Sequence, residues 1–169
     1  MITRTHTKGD APSTAVYSDC MCYRYSLTRM WDTTQDKALF IMLNPSTATE
    51  VQNDPTVARC ERRARTLGFG AFRVTNIFAW RDTDPKAMRR AVAPIGPDND
   101  AVLMDGVRWA DRIICGWGTH GAHLGRGPQV ADMLRVTGRA LHHLGLSQAG
   151  HPKHPLYIAY AQQPIAWAA

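Results

Sequence analysis

The sequence predicts an α/β fold, namely a three-layer α/β/α sandwich with a mostly parallel central sheet. Two observations lead to this prediction. From residue 38 onward, short apolar runs of strand length alternate with segments of helical periodicity. Such an alternation is typical of parallel strands joined by right-handed helical crossovers. The length of 169 residues also fits a single domain with its own core.

The N-terminal part of the chain predicts disorder followed by two strands. Residues 1–14 are polar, and we expect a disordered segment there. A single α/β domain is expected over residues 15–160, followed by a tail over residues 161–169. Residues 21–30 alternate between apolar and polar, which predicts a strand with one face in solvent. Residues 38–43 are a continuous apolar run, which predicts a strand in the middle of a sheet.

The later elements are marked by residues typical of helix ends. Asp54 and Pro55 predict the start of a helix, with Asp54 as the N-cap, and Gly68 predicts its end. Asp84 predicts a short basic helix, and Asp98 predicts a longer one. The remaining predicted elements are strands over residues 72–78, 113–115 and 156–160 and a helix over residues 130–144.

The charge of the chain favours a polyanionic partner. The net charge is +6, with a pI near 9.5. Two basic clusters flank the loop that follows residue 43, and one cluster alone would be read as a solvated helix face. Two clusters around one loop favour phosphate binding, and we expect a nucleic acid, DNA, as the partner. The clusters are Arg59, Arg62, Arg63 and Arg65, and Arg81, Lys86, Arg89 and Arg90.

Other features predict a cytoplasmic monomer that binds no metal. No apolar run approaches the roughly 20 residues of a membrane-spanning helix, and the N-terminus lacks the apolar segment of a secretory signal. We therefore expect a cytoplasmic location and no membrane contact. The four cysteines include no Cys-x-x-Cys pair, which disfavours zinc and iron–sulfur sites. We expect no metal and no cofactor.

Polar residues follow the predicted strands, where open α/β sheets bind their ligands. Asn44 precedes Pro45, which favours extended backbone, and its amide can orient a water or hold an amide-like edge. Ser46 and Thr47 add hydroxyl groups, although Asn-Pro alone is also a common turn. Asn76, in a buried strand, either reads the edge of a pyrimidine or bonds to a neighbouring loop.

Aromatic, glycine and histidine residues follow the same strand ends. Phe78 and Trp80 could stack on a base or fill the core. Trp117 lies between two glycines, which lets the backbone approach a ligand closely, and His120 follows. The stiff segment 151–157 presents His151, Lys153 and His154, which suit an anionic or carbonyl-bearing ligand. The alternative is a rigid turn that leads into the last strand.

These motifs, taken together in this order, resemble the domain of unknown function 1643 family of small bacterial and phage proteins. The matching residues span residues 22–158, which is most of the chain. They are Leu43–Thr47, Asn53–Thr56, Thr75–Arg81, Asn99-Asp100, Gly116–Gly118 and His154–Tyr157.

The same order of motifs more distantly resembles the uracil-DNA glycosylase superfamily. That resemblance implies that Asn44 positions a water and that Asn76 reads the pyrimidine edge. It implies that His154, or His151, stabilises the departing base, and that Leu156 fills the gap left by a flipped base. The implied fold is the α/β/α sandwich of that superfamily.

The departures from that superfamily shape the predicted function. No aspartate precedes Pro45, so that Asp54 is the remaining acidic group for a base role. Ser46 replaces a bulky aromatic residue, which implies room for a larger or modified base. We predict a DNA glycosylase-like hydrolase with phosphates held by Arg59, Arg63, Arg81 and Lys153. The base contacts are predicted at Pro45, Ser46, Thr47, Asn76, Phe78, Trp80, Trp117, His151 and Leu156. The alternatives are a transferase that modifies a pyrimidine in DNA and a non-catalytic nucleic-acid-binding module.

Overall fold

The chain forms one eight-stranded sheet with four α-helices, described by a computed structural model for residues 1–168. The strand order is β1-β2-β3-β5-β4-β6-β7-β8. The strands are β1 Ile2–Lys8, β2 Ala11–Tyr17, β3 Arg24–Met30, β4 Lys37–Met42, β5 Ala71–Asn76, β6 Arg112–Cys115, β7 Leu141–His143 and β8 Ile165–Ala166. The α-helices are α1 Pro55–Thr66, α2 Pro85–Arg90, α3 Asn99–Trp109 and α4 Arg126–Arg135, and 3-10 helices cover Thr119–Gly125 and Pro155–Tyr157. The predicted α/β class is confirmed.

The prediction of a mostly parallel sheet is wrong, because the sheet is mixed. Only the pairs β4-β5, β4-β6 and β6-β7 are parallel, and the other four pairings are antiparallel. The parallel strands form the centre of the sheet, where the sequence shows the buried apolar runs. The antiparallel strands come from the two ends of the chain, where the apolar pattern is weak.

The N-terminal residues, for which we expected disorder, form an antiparallel hairpin. Strand β1 pairs with β2 from Ile2 opposite Tyr17 to Lys8 opposite Ala11, around a turn at Gly9 with φ of 62°. The five central residues of β1 are exposed, because it is an edge strand. A polar edge strand of this kind resembles a disordered segment in sequence. At the other end, β8 pairs with β7 within the expected tail, whose last residue, 169, lies outside the described residues.

Two predictions of later elements also differ from the structure. The helix expected over residues 130–144 ends at Arg135, and Leu141–His143 is a parallel strand instead. Gly138 has φ of 75°, which ends helical structure before that strand. The strand expected over residues 156–160 is absent, because Pro155 takes the first position of a short 3-10 helix, Pro155–Tyr157, and residues 158–160 form no strand.

The helices cover both faces of the sheet. Helix α1 packs Val57 and Cys60 with Phe40 of β4 on one face. On the other face the buried residues Leu39, Ile41 and Ile113 pack with Leu103 of α3 and with Val130 and Leu134 of α4. Strand β4 is therefore buried from both sides, as its continuous apolar run predicts.

This arrangement creates a crevice at the carboxyl ends of β4 and β6. The chain leaves β4 toward α1 on one face, and it leaves the adjacent strand β6 toward α4 on the opposite face. Diverging connections between neighbouring parallel strands leave an open crevice, which is where such sheets bind ligands. In the part of the chain that the structure describes, no helix has the length and apolar character needed to cross a bilayer.

Candidate functional site

A cavity of about 580 Å³, which we call the main cavity, opens in this crevice. Its walls come from the loops after β4 and β6, the start of α1, the loop before α2 and the segment 154–157. It is lined by Leu43, Asn44, Ser46, Asp54, Pro55, Thr56, Asp82, Thr83, Pro85, Trp117, Gly118, Thr119, His120, His154, Leu156 and Tyr157. This volume lies in the range of small-molecule sites.

Two smaller spaces adjoin the main cavity. The inner chamber, of about 40 Å³, shares Asn44, Ser46, Asp54, Thr56 and His154 with it. Its other lining residues are Arg24, Met42, Pro45, Val57, Val74 and Asn76. The side chamber, of about 220 Å³, is lined by Gly118, Thr119, Ser147, His151, Lys153, His154, Tyr157 and Ile158. The structure therefore brings Asn44, Asp54, Asn76 and His154 together around the inner chamber.

The side chain of Asn44 is held by its amide nitrogen. Nδ2 donates to the backbone oxygen of Asp82 at 2.8 Å and to that of Pro45 at 3.2 Å. Both donors of the amide are used by carbonyls, which leaves Oδ1 as the group that can accept a hydrogen bond from a ligand or water. An ionised aspartate could not make these two bonds, because it has no proton to donate. The local backbone therefore requires asparagine at this position.

Asn76 ends β5 with an amide oxygen that has no protein partner. Its side chain is 2% exposed, and within residues 1–168 no hydrogen-bond donor reaches Oδ1. The backbone around it is firmly held, since Asn99 Nδ2 donates to the Asn76 oxygen at 2.8 Å. Arg126 Nε donates to the Ile77 oxygen at 2.8 Å, and Asp100 pairs with the same arginine. A buried and unpaired acceptor on a firmly held backbone is poised for a donor from a ligand.

His154 is a neutral donor toward the inner chamber. Its Nδ1 accepts the backbone N–H of Leu156 at 3.2 Å, so that the proton of the neutral ring lies on Nε2. Burial lowers the pKa of His154 to about 4, and the Asp54 carboxylate opposes this shift only in part. At neutral pH the imidazole can therefore donate a hydrogen bond without carrying charge.

The lowered pKa of His154 makes folding stability depend on pH. The unfolded chain takes up a proton near pH 6.5, whereas the folded chain does so only near pH 4. The contribution of His154 to the free energy of unfolding is therefore fully present above pH 6.5 and is lost as the pH falls toward 4. For this partly exposed ring the loss is about 2 kcal/mol. In His154→Asn the cap on Leu156 is kept and the titration is removed. Urea unfolding from pH 4 to 7 is expected to show this loss in the wild type and not in the variant. The same dependence of the free energy of unfolding on pH in both proteins would contradict it.

Asp54 serves as the cap of α1 at the edge of the cavity. Its Oδ1 accepts the N–H of Val57 at 2.8 Å, and its Oδ2 accepts the N–H of Ala48 at 3.2 Å. The predicted N-cap is thus confirmed. Each carboxylate oxygen keeps a second lone pair, so that the cap does not prevent Asp54 from accepting a proton or a water hydrogen.

Trp117 forms a wall of the main cavity and is 2% exposed. Its indole lies against two glycines that have no room for a side chain. A Cβ added at Gly121 would lie 2.2 Å from Trp117 Cδ1, and one at Gly127 would lie 2.7 Å from Nε1. Gly121 and Gly127 therefore form a slot for this tryptophan.

Substitution of Gly121 by alanine is expected to destabilise the fold by about 3 kcal/mol, because it overpacks the Trp117 slot. Gly106→Ala in α3 is the matched control, since its nearest neighbour is the flexible end of Leu39 at 3.1 Å. That change also favours helix formation. Denaturant unfolding followed by tryptophan fluorescence measures both. Equal stability of Gly121→Ala and the wild type would show that the indole does not occupy the slot.

The remaining predicted base contacts fall into two groups. Pro45, Ser46 and Leu156 line the inner chamber or the main cavity, and His151 lines the side chamber. Three others lie elsewhere. Thr47 is exposed and absent from these walls, Phe78 is fully buried in the core beside His123, and Trp80 packs edge-on against Tyr23. For Phe78 the alternative of core packing therefore holds, and its predicted base stacking is corrected. Trp80 is half-buried, and its predicted base stacking stays a prediction.

The arginines predicted to bind phosphate are used within the protein. Arg63 is 0% exposed and donates to the oxygens of Ile158 and Ala159, both at 2.8 Å. Arg59 donates to the Ile158 oxygen at 3.0 Å. Arg81 donates to the Met21 oxygen at 3.2 Å and lies over the ring of Tyr17. The prediction of Arg63 as a phosphate ligand is corrected for this reason. Arg59 and Arg81 are half-buried and stay predicted phosphate ligands, and Lys153 is exposed beside the side chamber.

Sequence reasoning missed two arginines that fix the loop after β4. The β3 strand was expected to have one face in solvent, yet Arg24 and Arg29 are 1% and 0% exposed. Arg24 Nη1 donates to the Ala48 oxygen at 2.9 Å, and Arg29 Nη2 donates to the Thr49 oxygen and to Asn53 Oδ1, also at 2.9 Å. Their apolar neighbours in sequence gave no sign of this burial.

Across residues 1–168, no three His, Cys, Asp or Glu side chains are grouped so as to hold a metal ion.

Comparison with known proteins supports one family. The family described as "Protein of unknown function (DUF1643)" matches residues 24–156. The match begins at Arg24, which lines the inner chamber, and ends at Leu156, which lines the main cavity. Searches of curated proteins and of solved structures gave no match.

Proposed function

This chain belongs to the DUF1643 family, and from its cavity we propose that it takes a base flipped out of DNA and hydrolyses the N-glycosidic bond. The observation that carries the proposal is that Asn44, Asn76 and His154 line one chamber although they come from three separate segments of the chain. An asparagine that can orient water, a buried amide that can read a base and a neutral imidazole donor are the groups that this reaction needs.

The proposed reaction assigns one step to each group. A water held by Asn44 Oδ1 attacks the sugar carbon that bears the base, and its proton passes to the Asp54 carboxylate. The bond from that carbon to the base nitrogen breaks, and its electron pair leaves with the base. His154 Nε2–H donates to a carbonyl oxygen of the base as the negative charge develops. Asn76 Oδ1 accepts a ring N–H and orients the base.

The size of the cavity and the cations around it are consistent with a base that is still attached to DNA. The main and side chambers share the wall formed by Gly118, Thr119, His154 and Tyr157, which leaves space for a substituted base. Exposed cations lie on α2, whose Pro85 lines the rim, and Lys153 lies beside the side chamber. The α2 cations are Lys86, Arg89 and Arg90. These side chains, rather than the buried Arg63 of α1, are proposed to contact the phosphates.

The proposal is tested with oligonucleotides that carry one uracil, hypoxanthine or substituted pyrimidine, in single- and double-stranded form. We expect abasic sites in at least one substrate, detected as strand breaks after alkali, and DNA binding that weakens with salt. The Asn76→Ala variant is the control, because it removes the proposed base contact in the chamber and is expected to lose base release. Absence of abasic product from every substrate, together with salt-independent or undetectable binding, would rule the proposal out.

A transferase that modifies a base in place is the second candidate. It is favoured by the volume of about 580 Å³, which leaves room for a second small molecule beside the base. The mass of the intact strand distinguishes the two reactions in the same experiment. Base loss supports the hydrolase, and a mass increase upon addition of a group donor supports the transferase.

A further inference from the structure

The inner chamber contains a second buried polar group without a partner, on Arg24. The Nε of this arginine is buried and has no hydrogen-bond acceptor among the described residues, and the side chain is 1% exposed. Three other arginines, Arg29, Arg59 and Arg63, also have an unpaired Nε. Arg24 differs from them because it lines the chamber together with Asn76, whose Oδ1 is unpaired too.

A shift in strand register places Arg24 there. Along β2 and β3 the partners are Val16 with Ser26 and then Tyr17 with Arg24, so that one residue of β3 is skipped. Such an irregularity changes the face on which the next side chain lies. Arg24 therefore joins Tyr17 on the face covered by α1, where Nη1 bonds to the Ala48 oxygen. Nη1 therefore holds the loop after β4, whereas Nε of this chamber-lining side chain has no protein partner.

Together the two groups match one kind of ring edge. We propose that Arg24 determines base specificity by donating from Nε–H to a carbonyl oxygen of the base, while Asn76 Oδ1 accepts the adjacent ring N–H. Bases with a ring N–H beside a carbonyl, such as uracil, thymine and hypoxanthine, present this pair. Cytosine and adenine present an amino group and an unprotonated ring nitrogen instead. This inference rests on the proposed function and names its substrate class.

Arg24 is needed for this selection because an asparagine alone does not provide it. The amide of an asparagine can rotate to exchange its donor and acceptor, so that it can read either kind of edge. A guanidinium can only donate hydrogen bonds. The amino group of cytosine or adenine also donates, so that it cannot bond to Arg24. Burial lowers the pKa of Arg24 to about 10, so that it remains charged at neutral pH. A site with fixed, buried hydrogen-bonding partners rejects a substrate that lacks the matching group by up to roughly 10⁴- to 10⁵-fold.

The test compares base release from oligonucleotides that carry uracil, hypoxanthine, cytosine or adenine at one position. The wild type is expected to prefer uracil and hypoxanthine by at least about 100-fold, and Arg24→Met is expected to reduce that preference to below about 10-fold. Arg29→Met is the matched control, because Arg29 is a buried arginine of the same strand that also holds the loop but does not line the chamber. It is expected to keep the wild-type preference.

Two further measurements keep the outcome clear. Arg24→Lys retains a charge but lacks Nε, and it is expected to lose preference even if Arg24→Met does not fold. Binding of free uracil and free cytosine, followed by ligand NMR, tests recognition without catalysis. A preference for binding uracil without release of any base would support the role of Arg24 and refute the proposed hydrolase activity. Base release without preference, or with the preference unchanged in both Arg24 variants, would overturn the inference and leave the hydrolase.

Discussion

Replacement of Asn44 by alanine is expected to lower the rate of base release by about 10²- to 10³-fold, the usual effect of removing one preorganised hydrogen-bonding group from an active site. The side chain is fixed by the oxygens of Asp82 and Pro45, which directs its remaining acceptor to water. Binding of the base is expected to change little, because Asn76 and His154 stay in place. Single-turnover kinetics at saturating protein measures the loss.

The control for Asn44 is its near neighbour Thr47, which is exposed and lies outside the cavity walls. Thr47→Ala is expected to keep the wild-type rate. Asn44→Asp is expected to be as slow as the alanine variant, because a carboxylate facing two carbonyl oxygens cannot hold the same position. If Asn44→Ala released base at the wild-type rate, water positioning by this residue would be refuted.

Replacement of Arg63 by methionine is expected to lower the free energy of unfolding by about 3 kcal/mol. The guanidinium ties helix α1 to Ile158 and Ala159, 95 and 96 residues further along the chain. Without it the Ala159 oxygen keeps only the N–H of Gln162, the Ile158 oxygen keeps only Arg59 Nη2, and Tyr160 loses one of the cations that lie over its ring. Urea denaturation measures the loss.

Arg62 is the matched control, because it lies one residue away on α1, is exposed and also lies over the Tyr160 ring. Arg62→Met is expected to change stability by less than about 1 kcal/mol. The salt dependence of DNA binding separates a structural role of Arg63 from phosphate binding. An Arg63→Met protein with wild-type stability and a salt slope reduced by about one would instead support the phosphate role.

The sequence was informative where local chemistry decides the structure. The apolar run over residues 38–43 became the central strand β4, and Asp54 became the cap of α1, because these features depend on near neighbours. The placement of Asn44 and Asn76 at the ligand-binding edge of the sheet was expected as well. Both follow parallel strands, and the carboxyl ends of such strands meet at one edge of the sheet.

The sequence was less informative where distant contacts decide the structure. An arginine on a helix looks like a phosphate ligand until its acceptors are known, and those of Arg63 lie near the far end of the chain. The position of Arg24 depends on a skipped residue in the pairing of β2 and β3, which no periodicity reveals. The hairpin β1–β2 escaped detection because the side chains of an edge strand need not be apolar.

The central claim is that Asn44, Asn76 and His154 act on one base, which lies in the main cavity with its edge at the inner chamber. A crystal structure of the protein with an oligonucleotide carrying a 2′-fluoro-substituted uridine tests it most directly, because the fluorine slows cleavage and holds the base in place. We predict that the uracil ring lies in the main cavity with one edge at the inner chamber, with its ring N–H on Asn76 Oδ1 and a carbonyl oxygen on His154 Nε2. An oligonucleotide bound elsewhere, with the base stacked in its strand and the chamber free of it, would contradict the claim.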